Sequence, residues 1–351
     1  MSDIILHIGL NKTGTSSIQD FMNMNAAKLL RHGMCYPTTG RDGTAHHALS
    51  RWIKVNKDDP AALESEMVKS LRKEIEDTRI TVLSSEDFHT LTDRGVEMMK
   101  EILKDHRVKV VVYLREHLNY LASWYQQNVQ GTHLSCAFDT FCYFNKKPLH
   151  AIVERWAAVF GKQHVSVRVY DRAQLLGGDI VQDFLEQVNP RLDVAKLKRK
   201  PYESNPSVSG NLLFAKRLIN NFCDKSQAAS YVHEVSALSK LKPTFAGHML
   251  VAGDVVDAVV QSYKQDRRIL AHKYGAKIPE LSGVRAGHAT PDLDAFAEDW
   301  ALIMHTAEVR GFGFATAARV LSKGVALKAP MHVPGLSHPG SLHAPNPMSL
   351  S

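Results

Sequence analysis

Two kinds of hydrophobic pattern alternate along the first 190 residues of the chain. Short, nearly continuous apolar runs rich in β-branched residues predict strands over Asp3–Gly9, Arg79–Leu83, Val108–Leu114 and Val165–Tyr170. Between these runs, apolar residues recur at helical spacing, as they do after Ser17. Strands that alternate with helices in this way predict an α/β fold with a central parallel sheet flanked by helices.

Beyond residue 190 the pattern becomes helical. Apolar spacing predicts helices around Leu212–Phe222, Asp254–Tyr274 and Phe296–Val309. From Lys323 the chain is rich in Pro, Gly, His and Ser and has no apolar period. We therefore predict an α/β core in residues 1–190, a mainly helical flank or lid of the same domain in residues 191–322, and a disordered tail in residues 323–351.

Composition and charge exclude few classes of function. The chain of 351 residues is 44% hydrophobic and 23% charged, which is typical of a globular protein in water. The net charge of +7 suits an anionic ligand and gives no argument for nucleic acid as a partner. The four cysteines lack metal-ligand spacing, and no apolar run reaches the length of about 18 residues that a membrane span needs. We expect a cytoplasmic protein without a metal site or a membrane span, and a homodimer is compatible with this composition.

An anion site is predicted at the N-terminus. The first strand is followed at once by the loop Leu10–Ser17, which contains one lysine and several hydroxyl side chains, and then by a helical pattern. Free N–H groups and the positive end of a helix dipole would point into such a loop. The sequence therefore predicts that this loop binds an anion.

The loop fails the signature of the nucleotide phosphate-binding loop, G-x-x-x-x-G-K-[ST]. Gly9 and Gly14 have the required separation, but Thr15 stands where the lysine belongs, and Lys12 comes two residues before Gly14. Only the pair Glu86–Asp87, after the second of the strong strands, offers carboxylates for magnesium. These departures weaken the hypothesis of a magnesium-dependent ATP enzyme, which remains an alternative as a small-molecule kinase.

Two motifs resemble the donor site of the sulfotransferases. Residues 11–17 resemble the family's 5′-phosphosulfate loop, whose usual form is Lys-x-Gly-Thr-[Thr/Ser]. The strand Val108–Leu114, followed by Arg115 and then by Ser123 eight residues later, resembles its 3′-phosphate site. A softer match is Tyr263–Leu270, which looks like the closing helix of bacterial sulfotransferase-like proteins.

The resemblance implies a sheet like that of the P-loop NTPases and a specific reaction. It implies 3′-phosphoadenosine-5′-phosphosulfate (PAPS) as donor, with 3′-phosphoadenosine-5′-phosphate (PAP) as product. The acceptor would be a hydroxyl of a carbohydrate, a glycolipid or a small molecule, because the chain is nearest to the bacterial and carbohydrate branches. A protein that binds the nucleotide without turnover is the alternative from a different class.

The resemblance also implies roles for residues. Lys12 would stabilise the bridging oxygen and the transferred sulfuryl group, and Arg115 with Ser123 would bind the 3′-phosphate. The residues that would hold the 5′-phosphate are Asn11, Lys12, Thr13, Gly14, Thr15, Ser16 and Ser17. Many relatives have an aromatic residue against the adenine where this chain has Ser17. The glycine-rich 3′-phosphate loop of the cytosolic branch is also absent, and Lys198, Arg199 or Lys200 could substitute for it.

The acceptor hydroxyl needs a base within hydrogen-bonding distance, and the family uses Glu or His. Glu86, at the end of a buried strand, is the first candidate. The remaining candidates are His46, His47 and His89. Aromatic side chains could form a platform for the acceptor, although such residues more often belong to a core; they are Tyr36, Trp124, Tyr125 and those of Phe138–Phe144.

Overall fold

The computed structural model describes residues 2–189, 192, 197–200, 207–281 and 291–326. Five parallel strands form one sheet in the order β2-β3-β1-β4-β5. The strands are β1 (Asp3–His7), β2 (Met34–Cys35), β3 (Ile80–Ser84), β4 (Arg107–Leu114) and β5 (Val165–Val169). The prediction of an α/β fold with a central parallel sheet is confirmed.

Helices connect and cover these strands. Those within the α/β part are α1 (Thr15–Arg31), α2 (His47–Asn56), α3 (Glu66–Glu76), α4 (Asp93–Ile102), α5 (His117–Gly131), α6 (Phe138–Phe144), α7 (Leu149–Phe160) and α8 (Ile180–Val188). The C-terminal part contains α9 (Gly210–Ile219), α10 (Lys225–Ser230), α11 (Val232–Leu238), α12 (Gly253–Ser262), α13 (Lys264–Tyr274), α14 (Leu293–Val309) and α15 (Gly313–Ala326). No helix in the described ranges is both long enough and apolar enough to cross a bilayer.

Side chains of β1 are buried on both faces of the sheet, which explains its nearly continuous apolar sequence. Ile4 and Leu6 belong to the core cluster that includes residues of α2, α3, α4 and α7. Ile5 belongs to the cluster on the opposite face, with residues of α1 and α8. Leu6 pairs with Leu83 on one side and with Val110 on the other. The strand is therefore the centre of a three-layer structure.

A third core cluster lies between α5 and the C-terminal helices. It contains Leu121 of α5 together with apolar side chains of α9, α11, α12, α14 and α15. Tyr120 packs against both this cluster and the core of the sheet. The helix α5 thus joins the helical part to the α/β part.

Some predicted elements differ in their details. The aromatic stretch between Gly131 and Pro148 contains the short helix α6. The helix α2 was not predicted, and it buries only Leu49, Ser50 and Ile53. The predicted helix Asp254–Tyr274 is two helices, α12 and α13, with Tyr263 between them.

The break at Tyr263 has a packing reason. The Tyr263 ring stacks on the His117 ring at a centroid distance of 4.2 Å. The next turn carries the buried Asp266, whose carboxylate accepts from His117 Nε2 at 2.5 Å and from the backbone N–H of His150 at 2.9 Å. The carboxylate thus ties α13 to the first turns of α5 and α7.

The predicted domain boundaries remain predictions. Residues 190, 191 and 193–196, where the α/β core was expected to end, lie outside the described residues. The helix α15 extends to Ala326, four residues into the segment predicted as a disordered tail. The rest of that segment, residues 327–351, also lies outside the described residues.

Lys216 is a buried lysine of α9 whose side chain contacts the end of α5. Its side chain is 0% exposed, and its Nζ donates to the carbonyl oxygen of Val129 at 3.2 Å, near the end of α5, and to Asn220 Oδ1. Burial lowers the pKa of Lys216 from 10.5 to about 8. Between these two pH values the unfolded chain binds the proton that the folded protein releases, so stability rises as pH rises through this window.

We expect Lys216→Met to lose this rise in the free energy of unfolding. Between about pH 8 and about pH 10.5, the free energy of unfolding of the wild type should rise by at most ~3 kcal/mol more than that of the variant. Urea denaturation across this range measures the difference. The exposed Lys225, replaced by Met, is the control and should retain the wild-type slope. Parallel profiles for Lys216→Met and wild type would contradict the assignment.

Candidate functional site

The predicted anion loop lies where β1, β3, β4 and β5 end. These strands are parallel, so their carboxyl ends meet at one edge of the sheet, where ligands of open α/β sheets bind. The loop follows β1, Glu86 follows β3, Arg115 follows β4 and Tyr170 follows β5. Residues more than 100 positions apart in the sequence therefore surround one place.

Backbone conformations that are rare for L-residues shape the loop. Gly9 has a φ of 27°, and a Cβ at this position would lie 2.6 Å from Thr15 Cγ2 and 3.3 Å from the Cα of Glu86. Lys12 has a φ of 67°, the only positive φ of a non-glycine residue in the described part of the chain. This conformation costs about 1 kcal/mol, so the surrounding contacts must hold it in place.

The loop ends at the N-terminus of α1, which has no side-chain cap. Gly14, with a φ of 77°, occupies the N-cap position, and the first turn contains no acidic side chain. The first N–H groups of a helix have no intrahelical partner, so those of Thr15 and Ser16 suit an anion. Thr13 is 0% exposed and its hydroxyl donates to the carbonyl of Leu10 at 2.7 Å, so its side chain supports the shape of the loop. The other predicted loop residues are half-buried at Asn11, Lys12, Gly14 and Ser17 and exposed at Ser16.

Arg115 is in direct contact with the loop. Its Nη1 donates to the backbone carbonyl of Lys12 at 3.2 Å, and its Nη2 donates to Asn119 Oδ1 at 2.7 Å. Ser123 is buried one turn of α5 beyond Asn119, on the same helix face. The two predicted phosphate anchors therefore belong to one site.

The site contains two opposite charges, on Lys12 and Glu86, and the hydroxyl of Thr15 binds the Glu86 carboxylate. Glu86 Oε2 accepts from Thr15 Oγ1 at 2.5 Å. Burial and the neighbouring positive charge of Arg115 lower the pKa of Lys12, while the Glu86 carboxylate acts in the opposite direction. An incoming anion would relieve the repulsion between the two cations, which is the electrostatic behaviour expected of an anion site.

Uncharged polar groups support the loop from below. His7 of β1 is 0% exposed, its Nδ1 lies 2.8 Å from Ser84 Oγ, and the Nε2 of Gln19 donates to the same oxygen at 3.3 Å. Burial lowers the pKa of His7 to about 3, so its ring is neutral at neutral pH. This network joins β1, β3 and α1 beneath the anion site.

The histidines predicted as bases separate into two kinds. His46 is 0% exposed, its Nδ1 accepts from the backbone N–H of Ser84 at 3.2 Å, and its Nε2 donates to the carbonyl of Pro37 at 3.1 Å. Burial lowers the pKa of His46 to about 4. With both ring nitrogens bound to the backbone, His46 is a structural residue, and its inclusion among the candidate bases is corrected.

His47 and His89 lie closer to the polar edge. His47 begins α2, is half-buried, and its Nδ1 lies 2.8 Å from Ser85 Oγ and 3.4 Å from Asp87 Oδ2. The Nδ1 of His89 contacts the carbonyl oxygen of Glu86, and burial lowers its pKa. His47 is thus the histidine that a neighbouring carboxylate orients.

Most of the predicted aromatic platform belongs to the core. Tyr36 is 3% exposed and donates to the carbonyl of Thr44 at 2.6 Å, Tyr125 is 2% exposed, and Phe141 is 4% exposed. Of the aromatic residues in α6, Tyr143 and Phe144 are exposed. Tyr36, Tyr125 and Phe141 therefore belong to the core, which is the commoner place for such residues.

Two contributions escaped the sequence. Asn119 holds Arg115, as described above. Tyr170 stands beside both anchors, since its ring centroid is 5.9 Å from the Arg115 guanidinium carbon and a Cβ on Gly14 would lie 2.9 Å from its Cε2. Asn119 could have been found from its spacing, because it lies four residues, or about one helical turn, after Arg115. The contacts of Tyr170 depend on the packing of β5 beside β4, which the sequence pattern does not give.

The basic residues 198–200 dock beside the same edge. The backbone N–H of Lys198 donates to Asn25 Oδ1 of α1 at 2.9 Å. Arg199 Nη1 donates to Asp179 Oδ2, at the start of α8, at 2.8 Å. Ile180, the residue after Asp179, lies against Gly14 of the loop.

Comparisons with known proteins show which sequences and structures this chain is similar to. Residues 2–175, which include all five strands and both anchors, match the family model described as sulfotransferase domain. A segment of 143 residues is 27% identical to an uncharacterized protein of Archaeoglobus fulgidus and covers 40% of this chain and 38% of that protein, so the match spans less than half of either. The solved structure of a sulfotransferase from Alicyclobacillus acidocaldarius has a TM-score of 0.39 with this chain at 13% identity, over 78% of this chain and 95% of that one.

The structural role of His46 predicts a specific pH dependence. Between about pH 6.5 and about pH 4 the unfolded chain binds a proton that the folded protein excludes, so stability falls as pH falls through this window. His46→Gln should remove up to ~3 kcal/mol of this fall, which urea denaturation at the two ends of the window measures. The exposed His32, replaced by Gln, should leave the fall unchanged. Retention of the full fall in His46→Gln would show that His46 is not excluded from protonation.

Proposed function

Since the chain belongs to the sulfotransferase family, with its sulfotransferase domain in residues 2–175, we propose that it transfers a sulfuryl group from PAPS to an acceptor hydroxyl. One observation carries the proposal: Arg115 donates to the backbone carbonyl of Lys12 at 3.2 Å. A donor with phosphates at both its 3′ and 5′ positions needs two cationic anchors at a short, fixed separation. The contact between these residues supports such a donor over one with a single phosphate group.

The proposed 5′ anchor is the loop with the first turn of α1. Its N–H groups at Gly14, Thr15 and Ser16 and the helix dipole favour a phosphate there. Lys12 adds a full positive charge. The left-handed backbone of Lys12 is held in place by its contacts, and its side chain is half-buried. Little reorganisation of Lys12 is therefore required when the donor binds.

The proposed 3′ anchor is Arg115 with Ser123. A guanidinium presents its N–H donors in a planar fork that matches phosphate oxygens. Asn119 orients the fork, and Ser123 follows one turn later on α5. Arg199 contacts Asp179 and Lys200 contacts Asp20, and both are proposed to add positive charge near the nucleotide.

The proposed chemistry is an in-line displacement that uses positioning and charge. The bond between sulfur and the bridging oxygen breaks as the bond between sulfur and the acceptor oxygen forms. Negative charge grows on the bridging oxygen, which becomes part of the 5′-phosphate of PAP, and Lys12 would stabilise it. Binding of the anionic donor would raise the lowered pKa of Lys12 again, which keeps the ammonium protonated during transfer.

We propose Glu86 as the group that takes the proton from the acceptor hydroxyl. Its carboxylate lies at the end of β3, is held by the hydroxyl of Thr15, and is close enough to Lys12 to affect its pKa. The second candidate is His47, because Asp87 and Ser85 contact its Nδ1 and favour the tautomer in which Nε2 accepts a proton.

The acceptor is proposed to be a hydroxyl of a carbohydrate or glycolipid. Carboxylate and imidazole groups at Glu86, Asp87 and His47 border the site, and such groups bind the hydroxyls of sugars. Tyr36 and Tyr125 are at most 3% exposed, so these two rings offer little surface to an apolar phenol.

The two-anchor donor site predicts which nucleotide binds. PAP should bind more tightly than ATP with magnesium, and Arg115→Ala should weaken PAP at least about tenfold by loss of a charge-assisted contact, as measured by titration calorimetry. Binding of adenosine 5′-phosphate, which lacks the 3′-phosphate, should change much less.

Arg107→Ala is the matched control, because Arg107 begins the strand that Arg115 follows and lies at the far edge of the sheet, paired with Asp3 at 2.7 Å. It should leave PAP binding unchanged. A clear preference for ATP, or normal PAP binding by Arg115→Ala, would support the kinase alternative instead.

The base assignment predicts different effects of two variants. Glu86→Gln should bind PAP normally but lose at least about a hundredfold in transfer rate, whereas His47→Asn should lose less than about tenfold. Transfer of labelled sulfate from PAPS to carbohydrate and glycolipid fractions measures both. The opposite order would assign the base to His47. Intact PAP binding with no transfer to any fraction would favour a nucleotide-binding protein without turnover.

A further inference from the structure

A second concave site lies in the helical part, away from the donor site. It is a cavity of about 320 Å³ between α5, α6, α9 and the segment 249–255 that leads into α12. Its volume is in the range of pockets that hold small organic ligands. None of the loop residues 10–17 lines this cavity, and neither do Arg115, Asn119 and Ser123. The cavity is therefore distinct from the loop that is proposed to bind the donor.

The wall of this cavity is mainly apolar and well packed. Tyr125, Leu213 and Met249 are at most 4% exposed and belong to the third core cluster. Phe214 packs edge-on against Phe296 of α14, with ring centroids 5.5 Å apart. The cavity is thus framed by side chains that the surrounding helices hold in place.

Arg217 supplies the positive charge of the lining. Its guanidinium carbon lies 4.9 Å from the centroid of the Phe214 ring. Asp139 and Asp254 border the same cavity, but their carboxylates accept from the backbone N–H groups of Thr140 and Val255. Arg217 is a hydrogen-bond partner of the Tyr125 hydroxyl, and within the described part of the chain no carboxylate forms an ion pair with it, so its positive charge is not neutralised by a carboxylate.

We propose that this cavity binds an amphipathic carboxylate, with its apolar body against Tyr125, Leu213 and Met249 and its carboxylate on Arg217. A guanidinium beside an apolar wall is a strong partner for such an anion, because partial removal from water strengthens the charge-assisted hydrogen bond. A neutral ligand would gain only the apolar contacts, and a small inorganic anion only the charge. The proposal does not depend on the sulfuryl-transfer activity.

The test uses decanoate and its neutral counterpart decanol as probes on the full-length protein, at concentrations below micelle formation. Titration calorimetry should show saturable binding of decanoate at one site. Arg217→Met keeps an apolar side chain and removes the charge, so it should weaken decanoate at least about tenfold and change decanol by less than about threefold. Saturating PAP should leave decanoate binding intact, because the two sites are separate.

Two further variants complete the test. Arg310→Met is the matched control, since Arg310 also lies over an aromatic ring, 5.9 Å from Phe312, but outside the cavity, and it should bind decanoate normally. Leu213→Trp should fill the cavity and abolish binding of both probes, with circular dichroism as the check of folding. The proposal is overturned if decanoate fails to bind wild type, if Arg217→Met binds it normally, or if PAP displaces it.

Discussion

The hydrogen bond from Arg115 to the carbonyl of Lys12 is the constraint on which the proposed donor site depends. It joins the end of β4 to a loop residue whose left-handed backbone is unfavourable for any side chain larger than glycine. Because the carbonyl of Lys12 is held from outside the loop, the Lys12 ammonium can stay beside another cation and a carboxylate. The same contact fixes the distance between the two proposed phosphate anchors.

The layer below the loop is polar but uncharged. His7, Ser84 and Gln19 share hydrogen bonds, and His46 is satisfied by backbone groups of Ser84 and Pro37. Burial keeps both imidazoles neutral, since an ionised group without a partner is costly in the interior. A neutral support leaves the positive charges at the surface of the site, where an anionic donor can reach them.

The helix α5 links the two halves of the molecule. Asn119, in its first turn, holds Arg115, and Tyr125, almost two turns later, packs in the helical core and lines the cavity. The buried Asp266 fixes the beginning of α5 through His117. A helix that is anchored at its start and packed along its length can hold a nucleotide anchor and a separate pocket wall at a constant spacing.

The hydrophobic pattern alone determined the α/β class, the four longer strands and the location of the anion loop, because strand burial on both faces and helix periodicity are local properties of the sequence. The motifs at Lys12 and Arg115 were recognisable because their spacing along the chain reflects strand ends. The difference between His46 and His47 could not be predicted from the sequence. Two adjacent histidines have the same chemistry, and only the packing of the chain buries one of them. The position of Tyr170 beside Arg115 and Gly14 and the cavity at Arg217 were also decided by tertiary structure, because the residues involved lie on elements whose positions the local pattern does not specify.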